Sequence, residues 1–90
     1  MVTITEYNLR KIEDLCKALG YKVRYEKGSF RTGACKILST KVIVVNRFSS
    51  LDVKIHSLIE IITGLEVDES LLDEKQKVFF RLLKQTKLTI

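Results

Sequence analysis

The chain has no proline, no tryptophan and a single histidine. Its two cysteines are too few for a disulfide-dense scaffold. A zinc site of three or four His and Cys ligands needs both cysteines and that one histidine to converge, so no metal is expected, and no motif asks for a cofactor. The longest aliphatic run is Val42-Ile43-Val44-Val45, far short of the roughly 20 residues that cross a bilayer, so a membrane partner is not expected. Met1 to Glu6 lacks the basic-then-apolar order of a secretory signal. With two cysteines and no sign of a pairing scheme, that order points to a reducing cytoplasm.

What is present is an ordinary globular mixture. Of 90 residues, 46% are apolar and 30% charged, which fits one domain, residues 1–90, and is too hydrophobic for a disordered chain. Thr3 and Glu6 have the spacing of a capping box. Leu9, Ile12, Leu15, Cys16 and Leu19 then recur at steps of three and four, an apolar helical stripe that Gly20 is placed to close. From Tyr21 the period drops to two. Tyr21, Val23 and Tyr25 alternate with Lys22, Arg24 and Glu26, as in a half-buried strand. Residues 27–33 hold two of the four glycines and read as a loop. Ala34 to Leu38 gives a second strand, with Cys35 and Ile37 on one face, and Ser39-Thr40 a turn. Lys41 to Asn46 gives a third strand, whose four consecutive branched residues suit burial on both faces.

Ser49 and Ser50 are candidate caps for a second helix with Leu51, Ile55, Leu58, Ile59 and Ile62 on one side. A third helix is expected from about Ser70 to Gln85, with Leu72, Phe79 and Leu83 sharing a face with Val78 and Leu82. Residues 86–90 can fray or add an edge strand. The expected fold is α+β in the order α-β-β-β-α-α. Short connections favour a small antiparallel three-stranded meander with the helices packed on one face.

Charge is uneven. Residues 1–50 carry ten basic and four acidic side chains, against six and seven in residues 51–90. Lys22, Arg24 and Lys27, with Gly28, Phe30, Arg31 and Gly33 in the loop, form a candidate binding region. A basic sheet interleaved with aromatics binds RNA or single-stranded DNA in some proteins by stacking bases and neutralising phosphates. The alternation also fits a plainer account, with the basic residues as the solvent side of a one-faced sheet. On the second helix Asp52, His56 and Glu60 stand four residues apart and form one polar stripe. Three ligands on one straight helix rarely converge on an ion without a partner segment, and a solvated face explains the stripe better. Cys35 has only His56 as a conceivable base and Cys16 lies on a buried stripe, so both are expected to be inert small hydrophobes.

The run from Arg24 to Ile37, the aliphatic strand ending at Asn46 and the helix after it resemble a family of small bacterial proteins with no assigned activity. Gly33, Cys35, Lys36, Ile37 and Asn46 carry that likeness. The helix, meander and helix order with Lys27-Gly28-Ser29 is similar to HicA-type toxins, small nucleases of double-stranded-RNA-binding-like fold. Their catalytic His follows the Gly-Ser pair, where Phe30 stands here. The strand, Asn46 and Ser-capped helix also resemble a minimal zincin. Aligning its Glu on Glu60 puts Ile59 and Thr63 where the two His ligands belong. Both likenesses imply a scaffold without the chemistry. The expectation is therefore a non-catalytic interaction domain that contacts another protein or a second copy of itself. Residues 27–33 and the outlying apolar residues Val53, Ile61 and Phe80 are its candidate surfaces. RNA or single-stranded DNA binding is the alternative, and a degenerate hydrolase using His56 with Asp52 or Glu60 the third.

Overall fold

The computed structural model describes residues 3–27, 35–39 and 41–85, apart from the side chains of residues 35, 36, 38 and 39. The expectations for Gly28, Phe30, Arg31, Gly33, Thr40 and residues 86–90 fall outside these. The element order is α1 (Glu6–Ala18), β1 (Lys22–Glu26), β2 (Cys35–Ser39), β3 (Val42–Asn46), α2 (Leu51–Gly64), a short 3-10 turn (Glu69–Leu71) and α3 (Glu74–Gln85).

Helix α1 is capped two residues later than the Thr3–Glu6 box implies. Thr5 is the cap, its hydroxyl oxygen accepting from the Asn8 N–H at 3.1 Å. The far end is a Schellman closure. Tyr21 N–H donates to the Cys16 carbonyl and Gly20 N–H to that of Lys17, both at 2.9 Å, while Gly20 adopts φ 89°. A side chain at that φ crowds the following carbonyl, so glycine is required by backbone conformation rather than by space. The turn delivers Tyr21 into the core at the head of β1.

The sheet is not an antiparallel meander. Its order is β1-β3-β2. β1 pairs with β3 in parallel, Lys22 opposite Val42 through Glu26 opposite Asn46, and β2 pairs with β3 antiparallel. The reason lies in β3. Ile43, Val44 and Val45 are all buried, and a strand buried on both faces belongs in the centre, a place the meander would have given to β2. Tight spacing favours a neighbour for the β2–β3 hairpin only; residues 27–34 are enough to join two strands that flank a third.

Ile43 and Val45 enter one core with Leu9, Ile12, Leu15 and Cys16 of α1, Ile55, Leu58, Ile59 and Ile62 of α2, and Phe79, Phe80 and Leu83 of α3. Val44, buried but outside that core, lies on the opposite face between Arg24 and Lys36 in register. Helix α3 starts at Glu74, not Ser70. Asp73 and Gln76 cap it reciprocally: Gln76 N–H donates to Asp73 Oδ1 at 2.8 Å, and Asp73 N–H to Gln76 Oε1 at 3.1 Å. Its inward face also differs from the expectation. Phe80 is fully buried, whereas Val78 is 65% exposed and Leu82 36%. Ile61 packs on the core edge, and Val53 is exposed as expected.

Chemical denaturation should separate these roles. Gly20→Ala is expected to cost about 1–2 kcal/mol through its left-handed φ, whereas Gly64→Ala, with nothing within 4 Å of an added Cβ, should be neutral or stabilising. Phe80→Ala should cost about 3–5 kcal/mol through cavity formation, and Val78→Ala no more than about 0.5 kcal/mol, as for an ordinary surface position.

Candidate functional site

The backbone of β1 defines the first candidate. Its ladder to β3 is bounded by Lys22 N–H donating to the Lys41 carbonyl at 2.8 Å and Arg47 N–H donating to the Glu26 carbonyl at 3.1 Å. In a parallel ladder the peptide groups of alternate residues turn to opposite sides. Lys22, Arg24 and Glu26 therefore use their N–H and C=O groups toward β3. Those of Val23 and Tyr25 face the outer edge of the sheet, where no strand of the described residues lies. Tyr25 is 37% exposed there and Val23 is half-buried.

Side chains on β1 separate by the same alternation. Val23 and Tyr25 are in register with Ile43 and Val45 on the helix side. Lys22, Arg24 and Glu26 share the other face, where Arg24 Nη2 lies 3.4 Å from Glu26 Oε2 at half-exposed positions. This division bears on base stacking. Tyr21 is buried in the core with Lys41 Nζ 4.7 Å from its ring centroid. Tyr25 is under Lys54 of α2, at 5.7 Å. Neither ring joins the face that carries Lys22 and Arg24. Among the described residues that face presents cations, one carboxylate, Val42, Val44 and Asn46, and no aromatic platform. Phe48, 71% exposed, lies beyond the strand in a turn that Asn46 organises by accepting the Phe48 N–H at 3.1 Å.

Asp52, His56 and Glu60 all lie exposed along α2. The Ser50 hydroxyl donates to Asp52 Oδ1 at 2.6 Å. That bond, then the Val53 backbone N–H, and more weakly the charge of His56, hold the Asp52 carboxyl below its ordinary value. Asp52 is thereby committed to the helix start. Among the described residues no three of His, Cys, Asp and Glu are placed to hold a metal ion, so α2 carries the stripe without assembling it into a site. The backbone of Cys35 lies in β2 opposite Val45, and its side chain is outside the described residues.

A groove of about 220 Å³ between α1 and α3 is absent from the sequence reading. Tyr7, Lys11 and Asp14 line one wall, with Lys75, Gln76 and Phe79 on the other. Lys11 Nζ lies 4.3 Å from the Phe79 ring centroid and 5.6 Å from that of Tyr7, so the cation already caps the aromatic surface. The spacing of Tyr7, Lys11 and Asp14 was visible, but only the approach of α3 makes them a wall. β1 is an edge strand in the expected meander too; what the sequence does not give is its partner β3 and hence which of its amides turn outward.

Compared with protein-family models, curated proteins and solved structures, the chain matches none. The likenesses to a small bacterial family, to HicA-type toxins and to a minimal zincin find no counterpart there, and a functional reading rests on the residues themselves.

Cys16 supplies the test of reactivity. Burial first, and then the charge of Glu13, push its thiol up to about 12 from 9.0. A raised value means the native state keeps the proton that the unfolded state releases. Stability from this group is intact below pH 9 and declines as pH rises from there toward 12. Native protein at pH 8 should leave Cys16 unmodified by a thiol reagent, and unfolding should expose it. Rapid native labelling at Cys16, mapped by mass spectrometry, is the contrary result.

Proposed function

We propose that the chain is a non-catalytic interaction domain that contacts another protein or a second copy of itself through the outer edge of β1. What supports this reading is a single observation, the pair of backbone N–H and C=O groups at Val23 and Tyr25 that point away from β3. Such an edge accepts an added strand, main-chain hydrogen bonds giving affinity and alternate side chains giving selectivity. Lys22, Arg24 and Lys27 flank it, and lysine at an edge discourages indiscriminate pairing. A segment with an acidic residue opposite those cations is the kind admitted. The placement of Tyr21 and Tyr25 on the helix side favours protein over RNA or single-stranded DNA, since bases then lack rings to stack on. In this reading the exposed stripe Asp52, His56 and Glu60 is a solvated face, and the setting is the reducing cytoplasm, where a free thiol such as Cys16 persists.

The test is an NMR titration with short extended acidic peptides. Shifts are expected at the amides of Val23 and Tyr25, and Tyr25→Pro should abolish them while circular dichroism stays native. That substitution removes an outward N–H and none of the bonds to β3. Binding that survives Tyr25→Pro, or shifts confined to another surface, contradicts the proposal.

A further inference from the structure

We propose that the strand added to this edge is the β1 of a second copy, antiparallel and centred on Arg24, fusing two sheets into one of six strands. The inference rests on the reading of β1 as a contact edge and names its occupant. The argument begins with symmetry. Two identical edges related by a two-fold axis normal to the sheet meet antiparallel, each using the same residues. Since Val23 and Tyr25 hold the outward peptide groups, they must form the hydrogen-bonded pairs, Val23 of one copy opposite Tyr25 of the other. Arg24 then faces Arg24 across the axis, and Lys22 faces Glu26 at both ends.

Charge selects this register. Glu26 is the one carboxylate on β1, against Lys22 and Arg24 within the strand. Centring on Arg24 brings each Lys22 against a Glu26 of the other copy, with all five residues of the strand paired. Centring on Val23 sets Lys22 against Arg24, which repels. Centring on Tyr25 sets Arg24 against Glu26 but pairs only the last three residues of the strand. The repulsion between the two Arg24 side chains at the axis is offset within each chain, where Glu26 lies 3.4 Å from its own Arg24. On the helix side the half-buried Val23 and the partly exposed Tyr25 become cross-strand neighbours, a β-branched and aromatic combination that sheets favour. A five-residue strand pair buries less than the roughly 1,200 Å² of a standard interface, so the dimer is weak and concentration-dependent.

Sedimentation of the full chain is expected to show monomer when dilute and twice that mass at millimolar concentration. Lys22→Glu should raise the dissociation constant about tenfold, since it replaces two attractive pairs with repulsive ones, and Glu26→Lys by at least as much, since it also removes the carboxylate beside Arg24. The double variant should return it to within about threefold of the parent, the pairs being restored with reversed sign. In a Cys35→Ser background, Arg24→Cys should give a disulfide-linked dimer under mild oxidation, because the two Cα atoms stand within disulfide reach. Tyr25→Cys should not. Crosslinking through Tyr25→Cys in place of Arg24→Cys overturns the register. A monomer at millimolar concentration, with Arg24→Cys uncrosslinked, overturns the second copy as occupant. Peptide-induced shifts at Val23 and Tyr25 that persist in that monomer leave the edge reading standing, and their absence removes both.

Discussion

Val42–Asn46 is apolar on both faces, and a strand of that kind is stable only with a neighbour on each side and cover above and below. Ile43 and Val45 draw the helices onto one face. Val44, buried on the other face, stands in backbone register with Arg24 of β1 and Lys36 of β2. With β3 at the centre, β1 has to lie on one flank and β2 on the other, and the chain direction makes the first pairing parallel. The rest of the sheet follows: β1 keeps one edge without a strand, and its even-numbered residues are spent on β3.

The helices hold this arrangement by depositing side chains at fixed heights along it. The Schellman turn at Gly20 leads α1 directly into β1, so the stripe from Leu9 to Leu19 and Tyr21, just before the strand, enter the same core. Asp73 and Gln76 fix where α3 begins, and its packing against the core turns Phe80 rather than Val78 inward.

Where local chemistry was sufficient, the sequence was legible. The stripe of α1, the left-handed glycine, the two-face character of β3 and the apolar side of α2 each depend on residues near one another in the chain, and each stands in the structure. Strand order did not follow from local chemistry. The branched residues of β3 already argued for a central place, yet short connections suggested the meander, and the connection argument counts residues without asking which strand must be covered. The inward turn of Phe80 is hidden for a related reason: wheel positions for Val78, Phe79, Leu82 and Leu83 allow two overlapping faces, and the neighbouring core chooses between them. The candidate site was legible only as side chains. Lys22, Arg24 and Lys27 are visible as cations, but the outward peptide groups can be assigned to Val23 and Tyr25 only once the pairing of β1 with β3 is known.

The account stands on β1 being a parallel flank of β3 with alternate amides turned outward. Amide hydrogen exchange measured residue by residue tests this directly. In dilute protein, Arg24 and Glu26 should be protected while Val23 and Tyr25 exchange quickly, and the latter two should slow as concentration rises. Protection of Val23 and Tyr25 at high dilution, or backbone proximity between β1 and β2, would contradict it.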